Sequence, residues 1–196
     1  MNAVQPVIRF DLERDVRTAQ DMAARLVPYV YESELYGQMP GDLPRLTVGG
    51  LLMRLHRLSA LVDSLTPSQR AAIKTAQEQL DNVRKEWPVA YEGKLQQEFK
   101  ARITAVEQFV NECAESPQRC MDGYPSGIEK RVIAEALRDE AAERNALSDE
   151  LQAALPNVDG RLRRYVKKGG NFVWDKRLEA AYPPEKYWYL YVTSAA

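Results

Sequence analysis

The chain has 196 residues, of which 45% are hydrophobic and 28% are charged, and its 27 basic residues nearly balance its 28 acidic residues. This length and apolar content exclude an intrinsically disordered protein, because the chain has enough hydrophobic residues to bury a core. The near-zero net charge removes a general attraction to nucleic acids or membrane surfaces, so any such binding would need a local basic patch.

The cellular location is predicted from the N-terminal segment and the hydropathy. Residues 1–10 lack the cationic stretch and apolar run of a signal peptide, and a mean hydropathy of -0.47 fits a chain without a membrane-spanning run. We therefore expect a cytoplasmic protein with no membrane partner. In that compartment Cys113 and Cys120 are expected to be reduced thiols, whereas in an oxidising compartment they would close a short disulfide loop.

The first half of the chain is predicted to be helical. A first helix is expected from Leu12 to Tyr36, with a bend at Pro28, and the composition of residues 37–44 indicates a loop. Thr47 precedes a second, strongly periodic helix that extends to Leu65. The N-terminal run Val4–Phe10 is β-prone.

The strongest feature is a long apolar stripe between Ser68 and Ser116, where Pro88 and Gly93 are the only Pro or Gly residues. Thr66 and Gln69 have the spacing of a capping box that would start this helix. Pro88 either bends the helix or divides it, and we expect one kinked helix because no loop-forming residues accompany the proline. The apolar stripe consists of Ile73, Ala76, Leu80, Val83, Trp87, Tyr91, Leu95, Phe99, Ile103, Val106, Val110 and Cys113.

A further helix is predicted downstream of a short helical turn at Pro117. Ser126 and Glu129 have the spacing of a second capping box, and the apolar periodicity that follows is expected to end at Pro156. Asp159 is then predicted to cap a short helix that ends at Gly169 and Gly170.

The C-terminal segment differs in composition, because eight of the 17 aromatic residues lie in the 32 residues after Arg164. The runs Asn171–Trp174 and Lys186–Val192 are β-prone. They could form a small sheet with the N-terminal run Val4–Phe10, or pack against the helices as irregular chain or helix.

These elements predict a mainly α fold. We expect an antiparallel bundle of about four helices, with one long kinked helix and an aromatic C-terminal segment that closes the bundle or adds a small β element. Residues 1–158 would form the bundle, and residues 159–196 would pack on it within a single domain.

Catalytic and metal-binding residues are not predicted. The single histidine, His56, lies between Arg54 and Arg57, an arrangement typical of a residue that covers a helix rather than of a catalytic base. Two cysteines and one histidine are too few for a structural zinc site, and we expect no metal and no cofactor.

Two further motifs have plain structural explanations. The glycines Gly49 and Gly50 favour close helix packing over a phosphate site. The acidic cluster is interleaved with Arg138 and Arg144, so a solvated, ion-paired face is favoured over magnesium binding. The cluster consists of Glu135, Asp139, Glu140 and Glu143.

One segment has the composition of a nucleic-acid surface. Residues 160–177 contain seven cations against Asp175 alone, a local net charge of +6, and cations could bind phosphates while aromatic rings stack on bases. We favour the alternative that this segment docks on the acidic helix between Ser126 and Leu155 of the same chain. The candidate binding residues are Arg161, Arg163, Arg164, Lys167, Lys168 and Trp174.

Three functions follow from these observations. The favoured one is a non-enzymatic interaction or scaffolding protein, because a stripe of about 40 residues is roughly 60 Å long and would leave apolar surface for a second copy or another protein. The alternative is nucleic-acid binding by residues 160–177. A third hypothesis is a small-ligand site or enzyme active site between the bundle and the C-terminal segment.

Overall fold

The computed structural model describes residues 9–195, which are mainly helical with a small antiparallel sheet near the C-terminus. The predicted helical fold class is confirmed, but the number of about four helices is too low. Within the described residues the α-helices are α1 (Leu12–Ala24), α2 (Leu26–Tyr31), α3 (Val48–Ala60), α4 (Pro67–Glu86), α5 (Pro88–Glu115), α6 (Pro117–Gly127), α7 (Glu129–Glu143) and α8 (Asp149–Leu162). The strands are β1 (Val166–Phe172) and β2 (Tyr191–Ser194), and 3₁₀-helix occupies Val62–Ser64, Lys176–Ala181 and Trp188–Leu190.

The first predicted helix is two helices. The break falls at Arg25 and the second helix ends at Tyr31, so the predicted bend at Pro28 and the predicted end at Tyr36 are wrong. Pro28 lies in the first turn of α2. Backbone N–H groups in a first turn have no hydrogen-bond partner within the helix, so the N–H that proline lacks is not missed there and the helix is not destabilised. The predicted loop at residues 37–44 is confirmed, and Gly37 and Leu46 form an isolated bridge beside it.

The predicted single long helix is also two helices, α4 and α5. Trp87 separates them with a φ of -129° and a ψ of 44°, because the residue before a proline is disfavoured in helical geometry. Pro88 then starts α5 at the position that suits proline best. The capping box at the start of α4 is confirmed: Thr66 N–H donates to Gln69 Oε1 at 2.9 Å, and Gln69 N–H donates to Thr66 Oγ1 at 3.2 Å.

The helices after residue 116 begin and end at other residues than predicted. Ser126 lies inside α6 and caps nothing, whereas Ser148 caps α8 by accepting a hydrogen bond from Leu151 N–H. α7 ends because Asn145 adopts a left-handed φ of 53°, a common way to terminate a helix. α8 continues through Pro156, so the predicted end there is wrong, and we find no local reason for the continuation.

The small sheet is formed by the C-terminal segment alone within the described residues. Its register pairs Val166 with Ser194 and Lys168 with Val192, and an irregularity follows at Gly169, whose φ is 93°. The predicted helix ending at Gly169 and Gly170 is therefore wrong, because both glycines lie in β1. Of the N-terminal run Val4–Phe10, residues 4–8 lie outside the described part of the chain.

The contacts between Cα atoms divide the chain into two compact units. The aromatic unit contains the described residues 9–10, 101–134 and 148–195, and the helical unit contains residues 11–100 and 135–147. The units interleave along the sequence, whereas the prediction divided the chain once, after residue 158. The chain passes between them within α5 and α7.

The aromatic unit buries most of the C-terminal rings. Tyr124, Tyr182 and Tyr189 are fully buried, and the Tyr124 hydroxyl donates to the backbone oxygen of Tyr189 at 2.9 Å. Arg131 donates two hydrogen bonds to Asp159 at 2.8 and 3.0 Å, and its guanidinium lies 4.4 Å from the Tyr189 ring. Asp159 therefore pairs with another helix and does not cap a helix as predicted.

The helical unit is held by a buried ion cluster between α1 and α3. Asp15 accepts hydrogen bonds from Arg57, with Nε at 2.6 Å, and lies 3.3 Å from Arg54 Nε. All three side chains are nearly excluded from solvent. The predicted helix that starts after Thr47 is confirmed as α3, with Thr47 as its cap.

The two cysteines form a disulfide, so the expectation of reduced thiols is wrong. Cys113 in the last turn of α5 and Cys120 in α6 have Cα atoms 4.6 Å apart. The turn at Ser116 reverses the chain over only seven residues and brings both thiols to one buried place. The bond connects the two helices.

Reduction of this disulfide is expected to lower the free energy of unfolding by about 2.5 kcal/mol, because a cross-link of this short loop restricts the unfolded chain. Urea unfolding with and without dithiothreitol measures the change. A Cys113→Ser/Cys120→Ser variant serves as the control and should not respond to dithiothreitol. An unchanged wild-type transition under reduction would contradict this role.

Asp175 joins the start of the described chain to the C-terminal segment. Its carboxylate accepts hydrogen bonds from Phe10 N–H at 3.2 Å and from Arg177 Nε at 3.0 Å. The Arg177 guanidinium, with help from the two backbone N–H groups, holds the pKa of Asp175 well below its usual range despite partial burial. A lowered pKa means that the ionised carboxylate stabilises the folded state.

Asp175→Asn is expected to lower the free energy of unfolding at neutral pH by roughly 1–2 kcal/mol. The wild-type advantage is present above the unfolded pKa, about pH 4, and is lost as the pH falls toward the folded pKa. The two proteins should thus converge in acid. Urea unfolding between neutral and acidic pH tests this, with the exposed Asp63→Asn as the control. A constant difference at all pH values would refute the assignment.

Candidate functional site

The apolar stripe of α4 and α5 is covered within the chain, with one exception. Trp87, at the break between the helices, is 38% exposed. The stripe therefore leaves little apolar surface exposed for a partner. The part that remains exposed lies at Trp87, where α4 ends and α5 begins. The buried members are Ile73, Ala76, Leu80, Val83, Tyr91, Leu95, Phe99, Ile103, Val106, Val110 and Cys113.

Exposed apolar side chains cluster at this interruption. The rings of Tyr31 and Trp87 meet edge to face with centroids 5.5 Å apart, and Tyr31 is 59% exposed. Val27 lies one turn before Tyr31 on α2, and Val89, two residues after Trp87, is 84% exposed. We call these four residues the junction surface. Exposed apolar clusters of this kind mark interaction sites in soluble proteins.

Charges of both signs flank the junction surface. Arg25 and Glu32 lie at the two ends of α2, and Lys85 and Glu86 directly precede Trp87. All four are exposed, and none forms an ion pair within residues 9–195. The apolar centre is thus flanked by charges of both signs.

The six binding residues proposed from the sequence are only partly brought together. Arg163 and Lys168 converge on Trp188, with the Arg163 guanidinium carbon 4.7 Å and the Lys168 Nζ 5.1 Å from the ring centroid. Lys167 lies on β1, where it pairs with Thr193 of β2. Arg164 is exposed and comes two residues after the end of α8.

The other two candidates are engaged elsewhere. Arg161 donates a hydrogen bond to Asn111 Oδ1. Trp174 is 5% exposed, and its Nε1 donates to the backbone oxygen of Pro125 at 2.7 Å, so its ring is inside the aromatic unit and is not presented for base stacking. We use the name basic surface for Arg163, Arg164, Lys167 and Lys168.

The acidic cluster of α7 is ion-paired as predicted but is not uniformly solvated. Glu140 is buried and accepts hydrogen bonds from both Arg84 and the Tyr91 hydroxyl, the latter at 3.0 Å, while Arg144 Nε lies 3.5 Å away. Burial, and then the Glu140 carboxylate, raise the pKa of Tyr91 above its usual range. Glu135 is also buried and pairs with Arg138, whereas Glu143 is exposed.

Glu140→Gln is expected to destabilise the protein by about 3 kcal/mol, because it removes the buried carboxylate that pairs with Arg84 and Arg144 and leaves Arg84 only its ion pair with the exposed Asp81. Glu143→Gln, on the exposed side of the same helix, should change the free energy of unfolding by less than about 0.5 kcal/mol. Urea unfolding at neutral pH compares the two. Equal effects would show that Glu140 contributes no more than a surface charge.

The glycine pair at the start of α3 is occupied by the chain's own carboxylate. Gly49 N–H donates to Glu98 Oε2 at 2.8 Å, and Gly50 N–H donates to Thr47 Oγ1 at 3.0 Å. Glu98 is completely buried. The anion that the helix N-terminus attracts is therefore internal, which agrees with a structural rather than a phosphate-binding role.

A cleft of about 410 Å³ opens beside the disulfide in the aromatic unit. Its lining includes the carboxylates of Glu112 and Glu115, the cations of Arg119 and Lys130, and the ring of Phe109. Phe109 packs directly on Gly127, where an added Cβ would lie 2.3 Å from the ring. The cleft falls within the size range of small-ligand sites.

Comparison with known proteins does not identify a relative of this chain. No family model, curated protein or solved structure matches the chain.

Two other kinds of site are absent from the described residues: a membrane-spanning helix and a group of metal-binding side chains. No helix within residues 9–195 combines the length and apolar character needed to cross a bilayer. No group of three or more His, Cys, Asp or Glu side chains in that range could hold a metal ion. His56 is exposed on α3 rather than buried.

Periodicity alone hides the junction surface, because it places Trp87 among the buried members of the stripe. The signal was present in Pro88, which forces the preceding residue out of helical geometry and turns its side chain away from the stripe's period. The pairing of Trp87 with Tyr31 joins residues 56 positions apart, and no local pattern indicates it.

Proposed function

We propose that the protein is a non-enzymatic interaction protein that binds a second copy of itself through the junction surface. The observation that carries the proposal is the exposed Tyr31 and Trp87 ring pair beside Val89, which is 84% exposed. Tyr and Trp contribute most to binding energy at the centres of protein interfaces. The proposal keeps the function favoured by the sequence but moves its surface from the covered stripe to the junction.

The flanking charges support a second copy as the occupant. In a two-fold contact the same patch meets itself, so each residue needs a complementary residue within that patch. Arg25 and Lys85 supply positive charge and Glu32 and Glu86 supply negative charge around one apolar centre. Such a patch is complementary to its own two-fold copy, whereas a rim of one sign would repel it.

The size of the patch indicates a modest affinity. Four side chains are fewer than the 20 to 30 residues per side that a standard interface uses, so a transient, concentration-dependent dimer is expected. Reversible self-association at micromolar concentration or above would agree with an adaptor or scaffolding role.

Val89→Asp is expected to weaken the dimer by about 30-fold or more. Because the contact is two-fold, each change counts twice, and about 1 kcal/mol per site gives ~2 kcal/mol in total. Sedimentation velocity across a concentration series measures the dissociation constant. Val89 is so exposed that its replacement should leave the free energy of unfolding unchanged.

The matched control is Val62→Asp, which introduces the same charge at another exposed valine of the helical unit. It should dimerise like the wild type. The proposal fails if the wild type remains a monomer at all concentrations, or if both variants weaken association equally. A monomer that pairs with a different protein would also count against self-association.

A further inference from the structure

The basic surface is a group of four exposed charges of one sign that are close together in the sequence. Arg163, Arg164, Lys167 and Lys168 fall within six consecutive residues, and all four are exposed. No acidic residue occurs between Gly160 and Trp174. Within residues 9–195 none of the four forms an ion pair with a carboxylate, although other arginines of the same unit, such as Arg131, do.

The buried carboxylates of α7 have partners outside the basic surface within residues 9–195. Glu140 binds Arg84, and Glu135 binds Arg138. Arg131, also on α7, binds Asp159 of α8. These ion pairs use the two buried carboxylates of the cluster and none of the four cations of the basic surface.

Two of the cations are held in place before any ligand binds. The Trp188 ring is 7% exposed and thus fixed by its surroundings, and it has the Arg163 guanidinium and the Lys168 ammonium within about 5 Å of its centroid. Cation–π contacts of this geometry stabilise a cation without neutralising its charge. The two charges are thus no more than about 10 Å apart, and both side chains are exposed.

The remaining cations extend the surface rather than closing a pocket. Lys167 and Lys168 are consecutive residues of β1, so their side chains leave opposite faces of the strand. A single phosphate could not contact all four groups. A repeating anion that passes along the end of α8 and over the sheet could do so.

We propose that the basic surface binds the phosphate backbone of nucleic acid. The binding is electrostatic and independent of sequence, because Trp174 and Trp188 are buried and present no ring for stacking on bases. An anionic membrane is the less suitable partner, because four cations alone attract a protein to it only weakly and stable membrane binding adds exposed apolar side chains. The large exposed ones within the described residues all belong to the helical unit.

The test is the salt dependence of binding to a short fluorescein-labelled oligo-dT, measured by anisotropy on the full chain. Four phosphate contacts on a single strand predict a slope of about -3 in log K against log salt concentration. Arg163→Gln/Lys168→Gln removes two contacts and should reduce the slope to about -1.4. Affinity at low salt should fall at least about tenfold.

The control removes the same charge elsewhere. Lys74→Gln/Lys176→Gln changes two exposed lysines outside the basic surface and should keep the wild-type slope. Near-UV circular dichroism checks that Trp188 keeps its surroundings in Arg163→Gln/Lys168→Gln. An oligonucleotide of mixed sequence should bind as oligo-dT does.

Three results would overturn the proposal. The first is absence of binding at low salt, and the second is an equal loss in the control variant. The third is binding to phosphatidylserine vesicles without binding to oligo-dT, which would identify a membrane surface instead. Val89→Asp should bind oligo-dT like the wild type, so this test is independent of the proposed dimer.

Discussion

Buried pairs of arginine and carboxylate are the constraint on which the helix arrangement depends. Three buried carboxylates are bound by arginines of other helices, and loss of either partner would leave an uncompensated charge that costs about 3–5 kcal/mol. A buried charge is tolerated only where its partners lie at hydrogen-bond distance, so each pair restricts how the helices that carry it can pack. The pairs are Asp15 with Arg54 and Arg57, Glu140 with Arg84 and Arg144, and Asp159 with Arg131.

The same pairing explains which surfaces remain available for binding. Several carboxylates are paired with arginines inside the protein and are therefore not available to other cations. For this reason a chain with a net charge of -1 still has a group of cations without carboxylate partners among the described residues at the end of α8. The members of the apolar stripe are likewise buried in the core, except at Trp87, where Pro88 interrupts the helical period. Both proposed binding surfaces consist of residues that remain exposed after these internal interactions have formed.

Local signals in the sequence were reliable where the structure depends on neighbouring residues. The capping box of Thr66 and the periodicity of α3 required only a few consecutive positions, and both are confirmed. Prolines were interpreted less well, because one lies in a first turn, one separates two helices and one, Pro156, lies inside α8. The candidate sites depend on long-range contacts such as that between Arg163 and Trp188, which the sequence pattern does not contain.

The contact between Phe109 and Gly127 restricts how this chain could change over evolutionary time. The bare α-carbon of Gly127 lies directly against the ring, with no room for a methyl group. Any replacement at position 127 would require a smaller residue at position 109 in the same lineage. The two positions should therefore vary together among descendants of this chain, and the shape of the cleft beside Cys120 should vary with them.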